Sequence, residues 1–143
     1  MGLTQNGYID GGVFFFGHGG GIEVAPGQRF WALMPGEQAG PDTNISALNV
    51  RQLSNAQLGP HATITLNACQ AGAGGPNSIA KLIANQLQRR IYAPILGMYF
   101  STNPNTKAPN GEGLPQVPDN PPVYMIQQYG NPLTQFCPGS LCQ

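Results

Sequence analysis

Two residues able to act together as a nucleophile and a base each follow an apolar segment of this sequence. Cys69 comes directly after Ala62–Ala68, a segment in which apolar and β-branched residues alternate. His18 comes just after the apolar run Gly12–Phe16 and precedes three glycines. A thiolate is a strong nucleophile, and an adjacent imidazole can remove the thiol proton. The two residue types therefore indicate thiol chemistry, provided that the fold brings them together.

The two apolar segments have the length and composition of buried strands. The chain between them is long enough for a crossover connection, which would make them parallel neighbours. Because open α/β sheets bind ligands at the carboxyl ends of parallel strands, we expect His18 and Cys69 to lie at one edge of a sheet. Residues 17–21 are predicted to form a glycine turn, where Gly19 lets a substrate come close to the backbone.

Helical signals occur both between the two strands and after the second one. Asn44 or Ser46 is predicted to cap a crossover helix that ends before Gly59. Residues 78–89 have apolar side chains at helical spacing and are predicted to form a second helix. The candidate N-caps of this second helix and the basic residues of its last turn are Asn77, Ser78, Arg89 and Arg90.

The chain is expected to form one domain with an α/β fold and a mainly parallel sheet, because the elements alternate as β–(α)–β–α–β. Residues 91–96 are a further strand, with Pro94 better suited to its end than to its centre. The core is placed at about residues 12–100. Residues 101–122 contain six prolines and no aromatic residue, so they are predicted to be a loop over a site or a disordered segment. Residues 123–143 are read as a C-terminal tail, irregular from residue 130 onward.

The composition excludes several classes of function. Only 8% of the 143 residues are charged, and six basic residues balance six acidic ones, so a basic nucleic-acid-binding stripe and a polyphosphate pocket are not expected. No apolar run approaches the length of about 18 residues that a membrane span needs. The first ten residues lack the pattern of a signal peptide. The arginines are expected to be solvated or to cap helices: Arg29, Arg51, Arg89 and Arg90.

Three cysteines limit the redox and metal chemistry of the chain. Cys137 and Cys142 are either tail thiols without a role or a disulfide that closes a small terminal loop. A metal site is disfavoured because no further pair of cysteines or histidines would complete four ligands. Cys69 remains as the reactive thiol, and no metal or cofactor is expected.

Several polar residues have a plain alternative to a catalytic role. His18 within a glycine turn could be a structural histidine or a metal ligand. His61 precedes the strand that leads to Cys69, so it is expected at the opposite end of that strand and on the surface. Asp10 and Glu23 are candidates to orient His18, although the favoured interpretation is that they are solvated.

The segments Val13–Gly19 and Ile64–Gly72 resemble the His-Gly and Ala-Cys motifs of the clan CD cysteine peptidases. This group includes caspases, gingipains, separase, CHAT-domain proteases and the self-cleaving domains of large bacterial toxins. The Leu-Asn-Ala-Cys-Gln-Ala-Gly form looks most like the peptidase-like domains at the C-termini of bacterial polymorphic toxins, such as Rhs-type effectors. The similarity covers roughly residues 12–97.

The resemblance implies a caspase-like three-layer sandwich with a loop-rich C-terminal third. It implies that Cys69 is the nucleophile and that His18 is the general base and acid. The backbone N–H groups of Gly19 and Cys69 would form the oxyanion hole. The primary specificity pocket of the family often carries a charged residue, and the sequence around the motifs identifies none.

The resemblance also implies a cysteine endopeptidase that works as a secreted or injected bacterial toxin in the target-cell cytoplasm. Its expected substrates are a target-cell protein or its own parent chain, and its expected partner is a cognate immunity protein. Two alternatives stay open from the residues alone. One is a catalytically inert caspase-like binding module, and the other is a thiol-dependent amidase or deamidase toxin.

Overall fold

A computed structural model of the chain describes residues 9–34, 44–101, 103, 105, 116–117, 123–127 and 133–139. The described ranges contain one α-helix, which is too short to cross a membrane. The strands are β1 Gly12–Phe16, β2 His18–Ala25, β3 Gln28–Met34, β4 Ile45–Ser46, β5 Thr63–Asn67, β6 Arg90–Ala93, β7 Met98–Ser101, β8 Gln116–Val117, β9 Val123–Gln127 and β10 Thr134–Phe136. The helix is α1 Ile79–Leu87, and short 3-10 turns occupy Val50–Gln52 and Gly75–Asn77.

The central sheet has the strand order β1-β5-β6-β10. β1 pairs with β5 and β5 pairs with β6 in parallel, whereas β10 is antiparallel to β6. The α/β class and the mainly parallel sheet are therefore confirmed. Pro94 follows β6 directly, as expected for a residue that cannot donate to a ladder.

The core lies on one face of this sheet, against α1. Ile64, Leu66 and Ile91 point to that face and are buried together with Ile79 and Ile83 of the helix. Burial of each such side chain stabilises the fold by about 2 kcal/mol. The alternation along β1 sends Phe14 to the other face, where it is 53% exposed.

The second predicted helix is confirmed, although it is shorter than expected. The Ser78 hydroxyl accepts a hydrogen bond from the Lys81 N–H at 3.1 Å, which is a side-chain N-cap. The helix ends at Leu87 because Gln88 adopts a left-handed conformation with φ 53°. The prediction that basic residues occupy the last turn is therefore wrong. Arg89 follows the helix and donates to the carbonyl oxygens of Leu58, Gly59, Leu87 and Gln88.

The predicted glycine turn at residues 17–21 is also wrong, because β2 begins at His18. β2 and β3 form an antiparallel hairpin, and β4 pairs on the far side of β3. Glycine has a low strand propensity, but β3 contains the strong strand formers Phe30 and Trp31 and supplies a paired edge. Pairing across the hairpin thus decides the conformation of the glycine run.

The predicted crossover helix does not form in the described residues. Ser46 belongs to β4, and only the single 3-10 turn Val50–Gln52 follows it. Ser46 Oγ accepts from the Leu48 N–H at 3.2 Å, and Asn49 Oδ1 accepts from the Ser46 N–H at 2.9 Å. These local bonds offer the backbone a turn in place of a helix.

The C-terminal third contains more strand than the sequence predicts. β7, β9 and β8 form a separate three-stranded antiparallel sheet, and residues 116–117 of the proline-rich segment belong to it. The tail is not irregular throughout, because β10 joins the central sheet and Phe136 packs against the core. Cys137 is disulfide-bonded, so it is not a tail thiol without a role. Cys142 lies outside the described residues.

Candidate active site

The pairing of β1 with β5 sets the positions of His18 and Cys69. The last pair of this ladder is Phe16 with Asn67, and the Gly17 N–H donates to the Asn67 carbonyl at 3.4 Å. His18 and Cys69 each follow their half of that pair by two residues. Both therefore lie at the carboxyl ends of adjacent parallel strands, where α/β sheets bind ligands.

At Gly19, β2 is in direct contact with the loop that follows β5. A Cβ atom at this position would overlap the carbonyl oxygen of Cys69 and would lie 3.2 Å from the Cβ of Ala68. No residue with a side chain fits there without a backbone shift. The space beside Gly19 is thus filled by the chain's own backbone, and the approach of a substrate to Gly19 stays a prediction.

Cys69 is a half-buried thiol at the start of a tightly held loop. The next residue, Gln70, has a left-handed backbone with φ 57°, and its N–H donates to the Leu96 carbonyl at 3.0 Å. The Gly72 N–H donates to the Pro94 carbonyl at 2.8 Å. These two hydrogen bonds attach the loop of Cys69 to the segment that follows β6. His18, in contrast, is exposed.

The other candidate acid–base residues are engaged elsewhere. Asp10 Oδ1 accepts from the backbone N–H of His61 at 3.3 Å. His61 is exposed and precedes β5, so it lies at the end of that strand opposite Cys69, as predicted. Glu23 Oε1 accepts from the Gly27 N–H at 3.1 Å. Among the described residues, neither carboxylate accepts a hydrogen bond from His18.

The described residues contain no group of three His, Cys, Asp or Glu side chains that could hold a metal ion. The side chains that follow the paired ends of β1 and β5 by two residues are an imidazole and a thiol. This set is suited to acyl transfer through a thioester.

Asn67 is a polar residue of the site region that the sequence reasoning missed. Its side chain is fully buried, two residues before Cys69, and neither its Oδ1 nor its Nδ2 has a hydrogen-bond partner among the described residues. A buried polar group without a partner costs about 1–3 kcal/mol. The only signal in the sequence is an asparagine at the end of a strand in which threonines alternate with Ile64 and Leu66.

A cavity of about 400 Å³ opens between the β2–β3 hairpin and the loop after Cys69. It is lined by Gly21, Arg29, Phe30, Trp31 and Gln70. A second cavity, of about 510 Å³, lies at the opposite end of the sheet beside His61 and Arg90. Only the first cavity adjoins the candidate nucleophile, because Gln70 is its chain neighbour.

No family model matches the chain, and no curated protein or solved structure matches it. The α/β class and the geometry at His18 and Cys69 therefore rest on the chain's own sequence and structure.

Proposed function

We propose that this chain is a cysteine peptidase in which Cys69 is the nucleophile and His18 is the acid–base catalyst. One observation carries the proposal. His18 and Cys69 follow paired residues of two adjacent parallel strands by the same two positions, and Gly19 touches the backbone of Cys69. A thiol and an imidazole at one edge of the sheet supply the residue types that nucleophilic catalysis needs, which supports the proposal.

The proposed reaction begins when His18 takes the thiol proton and the sulfur of Cys69 attacks a substrate carbonyl carbon. The oxygen of the tetrahedral intermediate accepts hydrogen bonds from the N–H groups of Gly19 and Cys69, each contributing about 3 kcal/mol to the lowering of the barrier. His18 then gives its proton to the leaving amine, and a thioester forms. His18 next takes a proton from a water molecule, whose oxygen attacks the carbonyl carbon of the thioester. The C–S bond breaks, the acid product leaves, and the His18 imidazolium returns the proton to the Cys69 thiolate.

The unpaired amide of Asn67 supports a functional reading of this region. Buried groups that lower stability are expected at sites where function, rather than folding, selects the residue. Asn67 is adjacent in the ladder to Phe16 and two residues from the proposed nucleophile.

The wider biological role rests on the sequence resemblance alone. We propose a caspase-like sandwich and a bacterial toxin or effector domain that acts in the target-cell cytoplasm on a protein of that cell or on its own parent chain. A cognate immunity protein would protect the producing cell by blocking the edge that carries His18 and Cys69. The parallel sheet and the helix that follows Cys69 support only the proposed fold.

The test is to express the intact chain in bacteria beside Cys69→Ala and His18→Ala, with growth and new protein N-termini as the two measurements. His61→Ala is the matched control, because His61 is also exposed but lies at the opposite end of β5. We expect the intact chain and His61→Ala to slow growth and create the same new N-termini. The Cys69 and His18 variants should do neither.

The same samples separate the proposal from its alternatives. A mass increase of about one unit on glutamine residues, without new termini, would identify a deamidase, since both reactions begin with thiolate attack on a carbonyl. If all four chains behave alike and iodoacetamide does not label Cys69, the peptidase proposal is wrong and the chain is a binding module.

A further inference from the structure

We propose that two copies of this chain associate through the outer edge of β1, the side of residues 12–16 that faces away from β5. In this dimer β1 pairs antiparallel with β1 of the second copy, so that the two central sheets become one. The inference does not rest on the peptidase proposal, and its test requires no cleavage.

β1 is the terminal strand of the central sheet, and no strand of the described residues pairs with its outer edge. The Gly11 carbonyl accepts from the Thr63 N–H at 3.2 Å, so Gly11 directs its main-chain groups toward β5. That direction alternates along a strand, and the main-chain groups of Gly12 and Phe14 therefore point away from β5. Such a row of outward N–H and C=O groups is a template for a further strand.

The sequence of β1 lacks the features that keep a sheet edge from pairing. It reads Gly-Val-Phe-Phe-Phe, with no charged residue and no proline. Phe14 is 53% exposed on the face of the sheet that does not carry α1. At the other end of the sheet, β10 has only three residues and Pro138 follows it closely. β1 is therefore the edge that favours strand addition.

The outward groups of β1 are complementary to a second copy of themselves. With a two-fold axis beside Val13, Gly12 stands opposite the partner's Phe14, and the two residues exchange a pair of N–H···O=C hydrogen bonds. Val13 then faces the partner's Val13 as a pair without hydrogen bonds. Because both copies use the same surface, the contact is complete with two chains.

The side chains of β1 fit the same arrangement. A Cβ atom at Gly12 would lie 3.1 Å from the ring of Phe14, so this ring leans over Gly12 of its own strand. Since Gly12 stands opposite the partner's Phe14, each ring covers the partner's Phe14 and both leave water. Val13 is half-buried against the core, and the Val13 pair continues that core across the interface.

The charge of the chain favours a second copy as the occupant. Six basic residues balance six acidic ones, so two copies do not repel each other at long range. Asp10, the charged residue closest to β1 in sequence, lies before the strand and accepts from the His61 N–H at 3.3 Å. A neutral apolar edge has no charge with which to select a charged partner.

The first experiment measures the mass of the full chain with Cys69→Ala by analytical ultracentrifugation between about 1 µM and about 1 mM. We expect a dimer with a dissociation constant of about 100 µM, because one strand pair is smaller than the usual interface of about 800 Å² per partner. Phe14→Lys should raise this constant at least about tenfold, since it removes the apolar contact and brings two charges together. Leu48→Lys is the matched control, because Leu48 is 46% exposed and lies outside the sheets.

The second experiment tests the register and does not depend on the folding of Phe14→Lys. With Val13→Cys in the Cys69→Ala chain, the two sulfurs come from residues whose Cα atoms are about 4.5 Å apart, within the range that a disulfide bridges. Mild oxidation should therefore link two chains. Phe14→Cys should link at least about tenfold more slowly, because the two Phe14 positions are diagonal neighbours.

Several results would overturn the inference. One is a chain that stays monomeric up to about 1 mM. Another is a dimer that Phe14→Lys and Leu48→Lys weaken equally, and a third is growth beyond two copies. Faster linkage by Phe14→Cys than by Val13→Cys would exclude the proposed pairing. Protection of the Phe14 N–H from hydrogen exchange that is the same at all protein concentrations would show that a single chain covers its own edge, which also refutes the dimer.

Discussion

At the scale of single residues, Gly19 allows β2 to pack directly against the loop that carries Cys69. Its position against the Cys69 carbonyl allows no side chain. Gly21, two residues further along the same strand, faces only the far end of the flexible Arg29 side chain. The two glycines therefore form a matched pair for separating tight packing from strand propensity.

Gly19→Ala is expected to lower the free energy of unfolding by at least about 2 kcal/mol, since the added methyl group must push the backbone of Cys69 aside. Gly21→Ala should cost less than about 1 kcal/mol, because the guanidinium can move away and alanine is a better strand former than glycine. Urea unfolding followed by tryptophan fluorescence measures both changes. Equal effects of the two substitutions would show that close approach at Gly19 is unimportant.

The two proposed catalytic residues could be singled out from the sequence because each follows an apolar segment that the sequence itself predicts to be a strand. The position of Arg29 in a cavity wall could not be predicted, since Arg29 and Gln70 come together only after the hairpin has folded against the loop that follows Cys69. Sequence reasoning assigned Arg29 to solvent, as composition alone suggests for most arginines. Arg29 is indeed exposed in the structure, where it also lines the cavity between the hairpin and the loop after Cys69.

At the scale of elements, α1 owes its start to a single side chain. The Ser78 hydroxyl caps the Lys81 N–H, and Ser78 is itself completely buried. The helix also binds the segment that follows β10, because Lys81 Nζ donates to the carbonyl oxygens of Cys137 and Gly139. Loss of the cap would thus weaken both the helix and this attachment.

Ser78→Ala is expected to lower the free energy of unfolding by about 1–2 kcal/mol, in the range measured for N-cap removal. Ser54→Ala is the control, because Ser54 also accepts a backbone N–H, that of Ala56 at 3.1 Å, but on the exposed surface. Its substitution should change stability by less than about 0.5 kcal/mol. Comparable losses from the two variants in urea unfolding would contradict the role of the cap.

Two physical causes explain the elements that the sequence did not predict correctly. The glycine run became a strand because a neighbouring strand pairs with it, and the crossover helix was replaced by turns because asparagine and serine side chains bond locally. Propensity reports neither tertiary pairing nor such side-chain competition reliably. By contrast, β1, β5 and α1 have sequence patterns that agree with their burial in the folded chain, so the sequence predicts them.

At the scale of the whole molecule, the described chain builds its core on one face of a four-stranded sheet. The helix, the 3-10 turn at Val50–Gln52 and β3 all pack on that face. The order of strands could be anticipated only for the parallel part, where crossover rules apply. The addition of β10 beside β6 depends on a three-residue strand, which is too short for periodicity to reveal.

The shared register of β1 and β5 limits which changes in chain length the site can accept. One extra residue within a strand sends each following side chain to the opposite face, so inserting alanine after Thr65 should separate Cys69 from His18 and abolish cleavage. Adding Gly-Ser between Pro26 and Gly27, at the exposed turn of the hairpin, should cost less than about 1 kcal/mol of stability. N-terminal profiling and urea unfolding of both insertions test this contrast. Length variation is therefore expected to be permitted in the connections around the site and forbidden within the two strands that carry it.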